Sequence, residues 1–204
     1  MPFHPSHITV KRSIEQRYFQ HYGEQTQCVL CGSLPRQQDT WFDYSPTNNH
    51  GTIASGTWVK LSSGLWYLDF DGAATTVTMP ASAGNIATFM AWVYIDTKNL
   101  SIVDFDAGTH SVESDNSAPA KITATGWAGP TIRINGAATD VVDVGGWKLV
   151  TVTTGTAFAA SAIVLGQEAS FYDGKIAWVY VDKTVVPATF DIAVYQTMRH
   201  LFQV

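Results

Sequence analysis

The stretch FYDGKIAWVYVDKTV, residues 171–185, reads as a turn opening onto a strand. Asp173-Gly174 is an Asp-Gly turn signature, at a point where the chain needs a residue tolerant of positive φ. An alternating apolar run follows, with Ile176, Trp178 and Tyr180 expected on one face. The chain then continues as VPATFDIAVYQTMRHLF, where Pro187 ends the strand and Thr189 is placed to cap a terminal helix. Ile192, Val194 or Tyr195, Met198 and Phe202 fall at spacings that would pack that helix on a sheet.

Upstream, the same strand character recurs without intervening helices. Residues 66–72, 75–80, 87–96, 100–105, 130–136, 147–154 and 161–166 alternate or run apolar. They are rich in Val, Ile, Thr, Trp and Tyr, with Gly, Asn, Asp or Pro between them. This pattern predicts an antiparallel sandwich or jelly roll. In ATFMAWVYID (87–96), Phe89, Ala91, Val93 and Ile95 face one way and Met90, Trp92 and Tyr94 the other. Both faces are apolar, as expected of a central strand covered on two sides.

Residues 1–25 differ from the rest and are read as a separate arm, with one domain over 26–204. Ser13 and Gln16 form a capping box, and Gly23 offers a helix stop. Ile14, Tyr18, His21 and Tyr22 lie at helical spacing. A helix of about two and a half turns does not hold itself together in water, so this stripe is expected to dock on a partner or on its own domain.

The chain of 204 residues is long enough to bury a core without disulfides or metals. Charged residues are 14% of it, against roughly 25% in ordinary soluble proteins. That low charge suits an extracellular or virion protein. Net charge is −5 and the only basic cluster is Lys11-Arg12, which argues against a general grip on nucleic acid. No run of eighteen apolar residues is present, so no membrane-spanning helix is expected. MPFHPSHITVKR has no apolar core of signal-peptide length, which fits a particle released by lysis. Cys28 and Cys31 form a lone C-x-x-C in a first strand and are read as buried thiols rather than half a zinc site.

Several segments resemble, in order, the laminin-G-like, concanavalin A-like domains. DYSPTNNHGT (43–52) is similar to their D-x-S-x-x-x-N-H-G segment, and LDFDG (68–72) with TVTMP to their F-D-G hairpin. FMAWVYI (89–95), WKLVTVT (147–153), VLGQ (164–167) and FYDGKIAWVYVDKTVVPATF (171–190) resemble later strands of the same domains. The resemblance implies an all-β, two-sheet jelly-roll sandwich over 26–204, to which the residue patterns add a short helix in the N-terminal arm and another at the C-terminal end.

Catalysis finds little support. ESDNSA (113–118) supplies Glu113 and Asp115, in what reads as a Ser/Asp/Asn-rich loop, but not the second glutamate of family hydrolases. Neither a phosphate loop nor a G-x-S-x-G elbow occurs in the sequence. Asp69/Asp71 and Asp104/Asp106 each share a strand face, a spacing that suits a hard cation. The first pair falls in the family's hairpin and is read as structural. The resemblance allows calcium beside the second pair, but nothing in the spacing selects ligands. No metal site, catalytic residue or cofactor is therefore assigned.

Trp66, Trp92, Trp147 and Trp178 match core positions, leaving Trp127 in TGWAGP as the candidate exposed platform for a glycan. The leading expectation is a non-enzymatic virion structural protein, such as a capsid decoration subunit of a bacteriophage. Its partners would be other virion proteins or copies of itself in a homo-oligomer, reached through Ile14, Tyr18, His21 and Tyr22. The alternative is a carbohydrate-binding, lectin-like module, on a virion or extracellular.

Overall fold

A computed structural model describes residues 26–31, 39–80 and 84–204. The arm carrying Ile14, Tyr18, His21 and Tyr22 lies outside these residues. The described strands are β1 (Thr26–Cys31), β2 (Thr40–Trp41), β3 (Gly51–Ala54), β4 (Thr57–Lys60), β5 (Trp66–Asp71), β6 (Thr76–Met79), β7 (Asn85–Ile95) and β8 (Ser101–Asp104). They continue as β9 (Ser111–Ser114), β10 (Ala120–Thr125), β11 (Thr131–Ile134), β12 (Val141–Val142), β13 (Trp147–Ala159), β14 (Ile163–Leu165) and β15 (Asp173–Asp182). One helix, α1 (Ala188–Met198), follows.

The strands form two antiparallel sheets. The first runs β11-β13-β7-β15-β5-β4, and β1 pairs with the far half of β15 beyond β5. The second runs β12-β10-β9-β8-β14-β6-β3-β2. Phe89, Ala91, Val93 and Ile95 enter the core between the sheets with Ile102, Val103, Val112, Ile122 and Leu165. Met90 and Trp92 point outward, into a second cluster with Trp147, Leu149, Trp178, Tyr180, Val194 and Phe202. The central strand is thus covered on both faces as expected, and its outer cover is supplied by the chain end.

The alternation in β15 departs from the sequence reading. Ile176 pairs with Val93 and Trp178 with Trp92, so Ala177 is an extra residue in the ladder. This bulge reverses the faces beyond it. Ile176 lies in the inter-sheet core, whereas Trp178 and Tyr180 lie under the terminal helix. Gly174 likewise sits within the strand rather than in a turn. A Cβ there would lie 2.2 Å from the Tyr94 carbonyl oxygen. Close approach of two backbones, not turn geometry, selects this glycine.

Helix α1 begins after Pro187, with no side-chain cap, so the expected capping by Thr189 is corrected. Val194 and Phe202 are buried and Tyr195 and Met198 half-buried, whereas Ile192 is exposed. Phe202 stacks on Trp92 at 4.2 Å and leans on Trp147 at 4.9 Å between ring centroids. Trp66, expected in the core, is half-buried at the sheet edge, with Lys60 Nζ 5.6 Å from its ring centroid. Of residues 113–118, which read as a loop, Glu113 and Ser114 belong to strand β9.

Candidate functional site

Trp127 is not a surface platform. It is 5% exposed, with Phe105 and Phe158 edge-on to it at 5.7 and 4.9 Å between centroids. Gly126 and Gly129 turn the chain at positive φ and let the indole fold inward between the sheets.

The carboxylates of these segments are occupied by hydrogen bonds from the protein itself. Asp43 of the DYSPTNNHG segment is buried and accepts the Ser45 and Asn49 N–H groups at 2.8 and 2.7 Å. His50 Nδ1 accepts the Asp43 N–H at 3.0 Å, closing the loop. Asp104 Oδ1 accepts the N–H groups of Asp106 and Gly108. Asp106 takes the Ser161 hydroxyl, Glu113 the Ser111 hydroxyl, and Asp115 the N–H groups of Ser117 and Lys121. Among the described residues no group of three or more metal-ligating side chains is placed to hold an ion.

A different set converges on the outer face of the first sheet, beyond the part that α1 covers. Strand register puts Asp69 opposite Lys175, Lys175 opposite Tyr94, and Tyr94 opposite Trp147. Facing residues share a side of a sheet, so these four form one row across β5, β15, β7 and β13. One step toward the sheet end, Asp71 faces Asp173, and the Asp96 N–H bonds the Asp173 carbonyl. Tyr67 lies two residues back along β5, on the same side as Asp69.

Lys175 holds the row together. Its ammonium lies 4.1 Å from the Tyr94 ring centroid and ion-pairs with Asp96. Tyr67 and Tyr94 both meet the buried Trp147 edge-on, at 5.6 and 5.8 Å between centroids. Trp147 in turn contacts Phe202, so the rings of the face rest on the packing of the chain end. Burial raises the Asp69 pKa, and Asp96, Asp173 and Asp71 raise it further while Lys175 opposes them. Asp71 behaves oppositely. The N–H groups of Ala74, Thr75 and Ala73 bond its carboxylate and hold its pKa down at about 2. Asp173 Oδ2 accepts the Thr97 hydroxyl at 2.5 Å.

Facing aspartates weaken a sheet, and half-exposed tyrosines beside them offer both ring faces and acceptors. A surface of this kind can hold a polyhydroxylated ligand. Sequence reading took Asp69 and Asp71 as a hairpin pair and did not single out Tyr67, Tyr94, Asp96 or Lys175. The available signal was a repeated i, i+2 polar pair on the face away from the core: Tyr67/Asp69, Tyr94/Asp96 and Asp173/Lys175.

No family model matches the sequence, and no curated protein matches it either. The fold is similar to that of the Trypanosoma rangeli sialidase in complex with the inhibitor DANA, with a TM-score of 0.57 and 11% identity. That match covers 84% of this chain and 33% of the sialidase. It is also similar to a botulinum neurotoxin type C structure, from a toxin whose cell entry depends on interaction with two ganglioside molecules. There the TM-score is 0.51 at 9% identity, over 88% of this chain and 53% of the other. The chain therefore spans between a third and about half of these neighbours, and the likeness is one of fold.

Proposed function

We propose that this chain is a carbohydrate-binding β-sandwich module of the laminin-G-like, concanavalin A-like kind, which binds a glycan without cleaving it. The observation that carries the reading is the row Asp69–Lys175–Tyr94–Trp147, with Tyr67 beside it. Tyrosine faces take the C–H side of a sugar ring, and carboxylates accept from its hydroxyls. The neighbours' dealings with gangliosides and with a sialidase inhibitor support this choice among ligand classes.

A retaining or inverting glycosidase sets a protonated carboxyl across the scissile bond from an ionised one. Here the strand bearing Lys175 runs between those of Asp69 and Asp96, and its ammonium bonds Asp96. That arrangement favours holding a sugar over protonating its leaving group. The virion reading drew on low charge, on the lack of a signal-peptide core and on residues 1–25, which lie outside the described residues.

A glycan array followed by calorimetry on the full chain tests the proposal. Asp69→Asn and Tyr67→Ala are each expected to weaken binding roughly tenfold, the effect of losing one good contact. Glycan binding that neither substitution alters would move the site elsewhere, and absence of binding to any glycan would overturn the reading.

A further inference from the structure

Resting on the glycan reading above, we infer that this face selects sugars bearing no negative charge and rejects sialylated and other acidic ones. The inference comes from the charge count of the face. Asp69, Asp71, Asp96 and Asp173 lie on it, and all three of the others act electrostatically on Asp69. Lys175 is the one ammonium in the two rows, and Asp96 already pairs with it.

Neighbouring cations do not redress the balance. Lys98 turns away, donating to the carbonyls of Asn116 and Ser117 at 3.1 and 2.9 Å. Lys148 pairs with Val93, whose side chain enters the inter-sheet core, so its stem leaves the sheet on the opposite side. Lys60 lies over Trp66 on the β4 edge. An incoming carboxylate would meet a surplus of like charge, and among the described residues the two rows hold no arginine and no second ammonium to receive it. A sugar hydroxyl, by contrast, donates to those same oxygens.

A unit charge a few ångströms from such a surplus, in a water-exposed setting, loses roughly tenfold in affinity, and the loss shrinks as salt screens it. The test is calorimetry on the full chain with paired glycans that differ only in a terminal sialic acid, such as lactose and sialyllactose, at low and at physiological salt. The neutral member is expected to bind about tenfold tighter at low salt, with the gap narrowing at higher salt. Asp173→Asn, which keeps an acceptor for Thr97, should narrow the gap about threefold at unchanged thermal stability, and Asp69→Asn provides a second variant.

Equal or tighter binding of the sialylated member would overturn the inference and leave the glycan reading standing. So would a gap that neither substitution nor salt alters. Absence of binding to any glycan would overturn both.

Discussion

The hydroxyl of Thr151 donates to Asp191 Oδ1 over 2.6 Å, tying the middle of β13 to the first turn of α1. Both residues are buried, and Asp191 Oδ2 has no hydrogen-bond partner among the described residues. Burial raises the Asp191 pKa, against the Thr151 bond and the attraction of Arg133. For a carboxyl raised on folding, the stabilising contribution is present below its unfolded pKa and lost as pH rises through the folded one. Asp191→Asn keeps an acceptor for Thr151 and removes the charge. It should raise stability at neutral pH by roughly 1 kcal/mol, or a few degrees in Tm, and flatten the pH dependence. Thermal melts of both proteins from pH 4 to 8 check this, and a variant less stable than the parent at every pH would contradict it.

Trp127→Ala should act on the fold and not directly on a ligand. Emptying the space between Phe105 and Phe158 is expected to cost about 3 kcal/mol, the usual penalty for deleting a buried aromatic. Denaturant titration measures the loss. A stable variant that had lost glycan binding would restore the exposed-platform idea.

Gly174→Ala places a methyl against the Tyr94 carbonyl and the Tyr172 ring. Neither has room to retreat, because Tyr172 is fully buried and its hydroxyl bonds that same carbonyl at 3.0 Å. A destabilisation of about 2–3 kcal/mol is expected from overpacking, read as a shift in the unfolding midpoint. A neutral substitution would show that β15 and β7 can separate locally.

Asp71→Ala removes one acceptor from three consecutive N–H groups and should cost about 1 kcal/mol, as loss of a helix-cap acceptor does. Its folded pKa is depressed, so its contribution is present above the ordinary carboxylate range and lost as pH falls through about 2. The group is exposed, and solvent screening keeps the pH effect small. Melting temperatures of parent and variant should converge in acid.

Much of the sandwich was legible from local pattern. Residues 89–95 of β7 alternate between two apolar sets, and the structure sends one set between the sheets and the other into the outer cluster that the chain end covers. The strands 40–41, 51–54, 57–60, 111–114, 120–125 and 141–142 were not legible. They are short, and several alternate small or polar residues whose burial comes from neighbouring strands rather than from their own hydrophobicity. The Ala177 bulge was equally hidden, because an extra residue in a ladder shows itself only against the strand it faces.

The glycan face follows the same division. The sequence by itself determined the strand periods, the i, i+2 pairs that share a side, and the apolar chain end able to cover a sheet. Tertiary structure alone decided that Asp69, Lys175, Tyr94 and Trp147 stand in one row, because strands far apart in the chain meet in a register that no local pattern encodes. It also decided that Trp127 turns inward, since an indole's exposure depends on whether its neighbours leave space for it. Period is a local property of the chain, and register and burial are properties of pairs.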